Sequence, residues 1–344
     1  PVPFEHTNAP DVSASGGLVH RVQTSTLAVA GTTMLAHGNQ APSEHGGPGL
    51  PNYVQTAVIS PSGDQAYVPS KQDNIKRGVL RDSKALTHDS AVRSITSRID
   101  LVTGQEDLTA RVDHDDAGIP STALFGPRGN YLYVALEGSR EVSMLDVFSG
   151  DEVVRLDAGR APRGLAISPD GSTLYVHNYM DRSVSVHDLT EVLTGASSTV
   201  PLLASYDTVA NETLSSDVLL GKQHFYDSRD ARLALQKYIS CAACHNDGGH
   251  DGRVWDFTGF GEGLRNTIDL RGHGGMDHGP LHWSANFAEV QDFEGQLRAF
   301  SFGVGLMNNT DFNTGTRAQS LGDPKAGLSG DLDALAAYVD SLTS

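Results

Sequence analysis

The sequence has 344 residues, of which 38% are hydrophobic and 19% charged, with 37 glycines and 15 prolines. This length favours two domains or one large β architecture, and the composition excludes disordered, collagen-like and small disulfide-stapled chains. The formal net charge is -17 at pH 7. Because nucleic-acid binding depends on clusters of Lys and Arg, this charge argues against a nucleic-acid partner.

No run of apolar residues reaches the length that a membrane helix requires, so we expect no membrane span. The first residues, Pro1 to Phe4, have neither the basic nor the apolar region of a signal peptide. We therefore expect that any signal peptide has been removed and that the sequence begins at a mature or clipped end.

Three similar segments occur in the first part of the chain, at residues 57–68, 123–134 and 165–176. Each has a short apolar run, a Pro-x-Gly turn and a returning run of alternating residues, which predicts a β-hairpin. Pro127 and Pro169 of the second and third copies lie 42 residues apart. A period of roughly 40 to 45 residues is typical of four-stranded β-propeller blades. We therefore expect residues 1–205 to form blades of an all-β propeller.

The first and second copies are further apart, with 66 residues from Pro61 to Pro127. The extra residues are either an elaborated outer loop or a functional decoration on one face of the propeller. At this period the first part of the chain supplies only about four to five blades, which is few for a closed ring. We therefore expect a propeller that is incomplete in this chain, with its missing blades either on a further chain or lost.

Two weaker patterns in this part concern metals. Asp113, Asp115 and Asp116 offer carboxylates to calcium, although without the spacing of an EF-hand, so a solvated turn is the alternative. His37 and His45 lie in a segment rich in Gly and Pro, where copper binding is an alternative to an ordinary loop.

Beyond residue 205 the apolar period changes from that of a strand to that of a helix. The pattern predicts helices at residues 214–223, 231–240, 287–300 and 331–342, separated by Gly-rich loops. Asp331 follows Gly330 at the start of the last helix and is its expected N-cap. We expect residues 206–344 to form a second, mainly α-helical domain.

The two cysteines of the chain lie in one motif, Cys241-Ala-Ala-Cys244-His245. C-x-x-C-H is the attachment pattern of haem c, in which both thiols bond to the haem and the histidine ligates iron. A disulfide or thioredoxin-like pair does not need the histidine, and zinc would need further ligands. The motif predicts one covalent haem c and makes residues 206–344 a domain of the c-type cytochrome class. Haem c is matured outside the bacterial cytoplasm, so the expected location is the periplasm or the cell surface.

Four ordered elements extend this prediction: residues 220–229, the C-x-x-C-H motif, Arg265-Asn266-Thr267 and the Leu-rich C-terminal helix. From about Thr213 to Ser344 they resemble the first haem domain of the di-haem cytochrome c peroxidase family, which includes the enzymes that mature methylamine dehydrogenase. The preceding repeats resemble the YVTN-type, cytochrome-linked and surface-protein propellers of bacteria. The resemblance implies a periplasmic or cell-surface redox protein.

The resemblance also implies roles for individual residues. Trp283 matches a family tryptophan that lies near the haems and relays electrons, with a large apolar wall of the haem pocket as the alternative role. Asp251, Arg253 and Trp255 match the segment that lines the haem. Either Arg253 or Arg265 would hold the haem propionates by charge-assisted hydrogen bonds.

Three departures from the family narrow the expected chemistry. There is no second C-x-x-C-H, because no other cysteine exists, so the electron-entry haem is absent from this chain. Residues 259–264 contain no counterpart of the family's distal histidine, and Leu306 stands where a peroxide-handling carboxylate precedes Met307. These departures favour electron transfer over peroxide chemistry.

The sixth iron ligand is left open by the sequence. The nearby donors are His273, Met276, His278, His282 and, further along, Met307. A histidine or methionine there makes a low-spin electron carrier, whereas an open position allows peroxide or oxygen chemistry.

We therefore expect electron transfer within a peroxidase-like oxidoreductase, with a redox partner protein or a second haem domain or subunit as partner. One alternative is an active peroxidase-type enzyme that oxidises a partner protein. A second alternative is a propeller docking module with an ancillary haem.

Overall fold

The computed structural model describes residues 16–272 and 280–343. The chain divides into two compact units. Of the described residues, the first unit contains residues 16–74 and Val92–Ala210, and the second contains Ile75–Ala91 and the described part of Asn211–Ser344. No helix within these residues is long and apolar enough to cross a membrane.

The secondary structure is mostly β. The strands are β1 (Leu18–Gln23), β2 (Ala28–Met34), β3 (Leu50–Asn52), β4 (Val58–Ile59), β5 (Gln65–Asp73), β6 (Val92–Asp100), β7 (Gln105–His114), β8 (Pro120–Phe125), β9 (Tyr131–Leu136), β10 (Glu141–Asp146), β11 (Glu152–Asp157), β12 (Pro162–Ile167), β13 (Thr173–Asn178), β14 (Ser183–Asp188), β15 (Leu202–Asp207), β16 (Val254–Phe257) and β17 (Gly263–Asn266). The α-helices are α1 (His88–Ala91), α2 (Thr190–Leu193), α3 (Ser216–Tyr226), α4 (Cys241–Cys244), α5 (Glu294–Ala299), α6 (Asn309–Phe312) and α7 (Gly330–Asp340).

The first unit consists of antiparallel sheets whose strands pair in chain order. Strands β8 to β11 and β12 to β15 form two four-stranded sheets, and β3, β5, β6 and β7 form a third with β4 beside β5. Strands β1 and β2 form a separate hairpin. The three predicted Pro-x-Gly hairpins are confirmed as the pairs β4–β5, β8–β9 and β12–β13. Such sequential four-stranded sheets are the units from which propeller blades are built.

Consecutive sheets of this unit share apolar clusters. Met144 of β10 and Val176 of β13 belong to one cluster. Tyr67 of β5 and Leu132 of β9 belong to another. Because side chains alternate between the two faces of a strand, each sheet can contribute to the cluster on either side of it.

Two helices of 11 residues, α3 and α7, pack closely in the second unit. A Cβ atom added at Gly221 of α3 would lie 1.8 Å from the carbonyl oxygen of Ala334 in α7, so this contact requires glycine. The other helices are shorter and turns separate them. The unit is therefore less helical than we predicted, and a mainly α-helical domain is not shown.

The start of α7 differs from the prediction. Ser329, not Asp331, is the N-cap, and its side chain accepts a hydrogen bond from the backbone N–H of Leu332. The Asp331 carboxylate instead lies 2.8 Å from Nε2 of His224 and 2.6 Å from Nη1 of Arg232. Tertiary partners therefore decide the role of this carboxylate.

The helix predicted at residues 231–240 does not form. Gln236 and Lys237 have φ values of 56° and 60°, in the left-handed region that interrupts a right-handed helix. The backbone N–H of Leu235 donates instead to the carbonyl of Ser301. The helix predicted at 287–300 is present only as a 3₁₀ turn, Val290–Phe293, followed by α5.

The pH dependence of stability should include a contribution from His114, at the end of β7. Its ring is buried, its Nε2 lies 2.8 Å from Oγ1 of Thr96, and burial lowers its pKa from 6.5 to about 4. The unfolded chain then binds more protons than the folded chain, so stability falls as the pH falls below about 6.5. Between pH 7.5 and 5 this residue should cost about 2 kcal/mol of unfolding free energy.

Urea unfolding of the wild-type and His114→Gln chains at both pH values measures this contribution. The variant should lose that part of the pH dependence, whereas substitution of the exposed His20 by Gln should not. An equal pH dependence in wild type and His114→Gln would contradict the assignment.

Candidate functional site

The C-x-x-C-H motif forms a single turn of helix. Cys241 and Cys244 are the first and last residues of α4, and Ser240 precedes it as the N-cap. The backbone N–H of His245 donates to the carbonyl of Cys241 at 2.9 Å, so the turn continues to the histidine. The motif therefore places two thiols and one imidazole on one short segment.

The ring of His245 is held by two backbone carbonyls. Its Nδ1 lies 2.9 Å from the Ile268 oxygen and 3.2 Å from the Gly249 oxygen. A carbonyl oxygen only accepts, so Nδ1 carries the proton and Nε2 keeps its lone pair. Burial lowers the pKa of His245, against the opposing charge of Asp251. The ring is therefore neutral and has the tautomer that a metal-ligating histidine uses.

The residues after the motif form a small buried framework. Strand β16 pairs with β17, and Trp255 lies opposite Arg265. Nε1 of Trp255 donates to the Asp251 carboxylate at 2.8 Å. Arg253 is 0% exposed, and its carbonyl accepts from the backbone N–H of Thr267 at 3.3 Å. The predicted Asp251, Arg253 and Trp255 are thus all buried.

His282, a candidate sixth ligand, lies half-buried beside acidic and aromatic side chains. Burial is the largest cause of the lowered pKa of His245, and a charge on His282 would act in the same direction. Nδ1 of His282 is 3.3 Å from the Glu262 carboxylate, and its ring packs against Phe287 and Phe293 at centroid distances of 4.4 and 4.9 Å. Burial lowers the pKa of His282, which favours the neutral ring.

The backbone at His282 is unusual as well. Its φ is 68°, in the left-handed region that non-glycine residues rarely adopt. Strain of this kind persists where the surrounding contacts determine the conformation, and it clusters at functional sites.

Trp283 and Arg265 lie next to this histidine. The Trp283 side chain is 58% exposed, and its Nε1 donates to the Asn266 carbonyl at 2.8 Å. Arg265 contacts Oγ of Ser284 through Nη2 at 3.0 Å. Trp283 and Ser284 are therefore linked to β17, which contains Arg265 and Asn266 of the predicted Arg265-Asn266-Thr267 element.

Of the remaining ligand candidates, the structure describes only Met307. Met307 belongs to an apolar cluster with Leu233, Leu297 and Leu332, and its backbone N–H donates to the Glu294 carboxylate at 3.2 Å. These contacts are those of a core residue. His273, Met276 and His278 lie outside the described residues.

Two carboxylates of this region were not predicted from the sequence. Nδ2 of Asn286 donates to the Glu262 carboxylate at 2.9 Å, and the same carboxylate lies beside His282. The one sequence signal for Glu262 was its position three residues before Arg265, with which it pairs. Glu294, 0% exposed, accepts from the backbone N–H groups of Leu306 and Met307. Although Leu306 carries no carboxylate, a carboxylate from α5 therefore reaches its backbone.

Of the residues that the weaker calcium and copper predictions name, the structure brings His45 and Asp115 together. One ligand atom each from Glu44, His45 and Asp115 lie within 4.8 Å of one another. The guanidinium of Arg93 pairs with Asp113 at 2.6 Å and with Asp115 at 3.2 Å, which offsets negative charge that calcium binding would use. His37 is not one of the three residues Glu44, His45 and Asp115, and its Nδ1 lies 3.1 Å from Oδ1 of Asn39.

Comparisons with known proteins place the chain in no family. No protein-family model matches the sequence, and a search of curated proteins finds no significant match. Similar solved structures include hydrazine synthase from Kuenenia stuttgartiensis, with 16% identity, a TM-score of 0.37 and coverage of 54% of this chain and 55% of that chain. Another is the periplasmic gluconolactonase of Pseudomonas aeruginosa, with 14% identity, a TM-score of 0.35 and coverage of 49% and 46%.

The chain spans about half the length of these solved structures. At such TM-scores the similarities establish neither the fold nor an activity for this chain. They do not support the resemblance to di-haem peroxidases, which stays a prediction from the motifs.

Loss of the Asp251 carboxylate should destabilise the site through Trp255. Asp251→Ala leaves the buried indole N–H without its acceptor, which costs about 1 to 3 kcal/mol. In a double-mutant cycle, Trp255→Phe should cost less in the Asp251→Ala background than in the wild type. Urea unfolding followed by circular dichroism measures both. As a control, Asp269→Ala removes one partner of the surface ion pair between Asp269 and Arg271 and should cost less than about 1 kcal/mol. Strict additivity of Asp251→Ala and Trp255→Phe would contradict the coupling between these two residues.

Proposed function

We propose that the second unit binds one covalent haem c and that the chain transfers electrons at the periplasmic or cell-surface side of a bacterial membrane. Cys241 and Cys244 would form the thioether bonds, and Nε2 of His245 would ligate the iron. The observation that supports this proposal best is the pair of hydrogen bonds from Nδ1 of His245, which leave its Nε2 available.

The residues at the site fit a haem. The donors are two thiols and a neutral imidazole on one helical turn, the set that haem c attachment uses. Burial raises the pKa of the Cys241 thiol to about 11, so this sulfur is present as S–H, the group that adds across a haem vinyl. A zinc site would require a fourth ligand from the protein or water, and it would not require this motif.

We propose His282 as the second axial ligand. The Glu262 carboxylate lies 3.3 Å from Nδ1 of His282, and a carboxylate beside a histidine is a common arrangement at metal sites. Met307 is the weaker candidate, because it lies in an apolar cluster. When bound, a haem with two histidine ligands supplies a low-spin centre that exchanges single electrons.

Each surrounding residue has a definable part in this function. Asp251 places a negative charge near His245, which raises the pKa of the imidazole and strengthens it as a donor. Arg253 and Arg265 are the candidates to hold haem propionates. The acidic chain would favour a basic redox protein as partner.

The antiparallel sheets of the first unit have a place in the same proposal. We interpret them as blades of a propeller that is incomplete in this chain, serving as a docking platform for a redox partner, a second haem subunit or a further chain. As an electron carrier the chain would have no substrate of its own, whereas as a peroxidase-type enzyme it would have one.

One observation favours that second candidate, an enzyme that oxidises a partner protein. The Trp283 indole is exposed yet anchored to Asn266, as a surface relay between a haem and a partner would be. A wall residue of the haem pocket is the alternative role for this side chain.

The haem prediction is tested by intact mass and by a haemochrome spectrum. The mass of the purified chain should exceed the 36.5 kDa polypeptide by one haem. Cys244→Ser should leave one thioether at most and shift the haemochrome band. A mass equal to the bare polypeptide, in cells that mature c-type cytochromes, would rule the proposal out.

The variant Trp283→Phe distinguishes the two roles of this tryptophan. If Trp283 relays electrons, the variant should keep its haem content and spectrum, while oxidation of an external donor slows by an order of magnitude or more. If Trp283 is an apolar wall of the haem pocket, the variant should change stability by about 1 kcal/mol and leave turnover nearly unchanged.

Stopped-flow mixing of the ferric protein with peroxide tests the peroxidase-type candidate. No spectral change on mixing would remove that candidate.

A further inference from the structure

Residues Ile75–Ala91, here called the insert, belong by contact to the second unit although they connect two strands of the first. Strand β5 ends at Asp73, β6 begins at Val92, and these two residues are paired in the sheet. A tight turn would suffice to join them. The chain instead leaves the first unit after Asn74 and returns at Val92. The insert therefore needs an explanation within the second unit.

The first half of the insert donates hydrogen bonds to the carboxylate of Asp256. Oδ2 of Asp256 accepts the backbone N–H groups of Leu80 at 2.7 Å and Arg81 at 3.0 Å, while Oδ1 accepts that of Thr258 at 3.0 Å. Asp256 is buried, so each of these bonds replaces water that the carboxylate would otherwise need. At Gly78, a Cβ atom would lie 2.3 Å from that of Asp256, which shows how closely the two segments approach.

The Arg81 side chain makes a second link to the same strand. Its Nη2 donates to the carbonyl of Val254 at 3.2 Å, and its Nη1 donates to the carbonyl of Ile75 in the insert. The guanidinium thus joins the beginning of the insert to β16. Val254 lies between Arg253 and Trp255, the buried residues of the candidate site.

The other end of the insert contacts the chain before the C-x-x-C-H motif. His88 of α1 lies with Nε2 2.9 Å from Oε1 of Gln236, and its ring packs against Phe302 at 5.0 Å and Tyr238 at 6.3 Å. The insert therefore touches segments on both sides of the motif in sequence.

We propose that the insert is a clamp for the haem-binding segment, in which Asp256 and Arg81 are positioning residues that hold β16 and, through the Arg253 carbonyl, the backbone of Thr267 and Ile268 that orients His245. The proposal rests on the proposed haem function. The insert holds Asp256 and Val254 of β16, and the carbonyl of the adjacent Arg253 accepts the backbone N–H of Thr267. The next carbonyl, that of Ile268, lies 2.9 Å from Nδ1 of His245.

The test uses the full-length, haem-loaded chain with the variants Asp256→Ala and Arg81→Met. Arg77→Met is the matched control, because the Arg77 guanidinium contacts Ala85 and Asp82 within the insert itself. Amide hydrogen exchange in β16 and β17 should accelerate at least tenfold in both clamp variants and stay unchanged in the control. The haem midpoint potential should shift in the same two variants and not in Arg77→Met.

Exchange that is no faster in the clamp variants than in the control would overturn the proposal. Faster exchange with an unmoved midpoint potential would also overturn it, because the insert would then support the fold without positioning the site. If Asp256→Ala does not fold, Asp256→Asn keeps one accepting oxygen and should show an intermediate effect. Should the chain carry no haem, the proposed function fails, and the exchange measurement alone still decides whether the insert holds β16.

Discussion

The hydrogen bond between Nδ1 of His245 and the carbonyl of Ile268 is the constraint on which the candidate site depends. It selects the tautomer whose Nε2 can bind a metal, and it sets the direction of the ring. The carbonyl is itself held in place, because the neighbouring Thr267 N–H donates to Arg253 and the Leu270 N–H donates to Gly248. The backbone of residues 267–270 therefore transmits the geometry of the β16–β17 hairpin to the imidazole.

Burial and charge act together on that imidazole. Burial lowers the pKa of His245 and keeps the ring neutral, whereas the Asp251 carboxylate acts in the opposite direction. The same carboxylate accepts from Trp255, so one side chain couples the hairpin to the electrostatics of the ligand. Glu262 lies 3.3 Å from Nδ1 of His282 and gives that ring an acidic neighbour as well. Two histidines, each with an oxygen group beside Nδ1, form the structural basis of the proposed electron-transfer centre.

Local patterns predicted the local structure well. The Pro-x-Gly hairpins and the helical turn of the C-x-x-C-H motif follow from turn chemistry and short spacing. Residues 231–240 have a helical apolar pattern, yet left-handed Gln236 and Lys237 and a bond from Leu235 to Ser301 prevent the helix. The partners of Asp331 and Glu262, and the placement of the insert, depend on residues distant in sequence, which a periodicity analysis cannot register.

Electron paramagnetic resonance of the ferric protein tests the central claim most directly, because it reports the axial ligands of the iron. With His245 and His282 both bound, the wild-type protein should show only the low-spin signal of a haem with two imidazole ligands. His282→Ala should convert it to a high-spin signal, while the matched substitution His250→Ala, at an exposed position near the motif, should not. A high-spin signal in the wild type, or a low-spin signal that survives His282→Ala, would contradict the account.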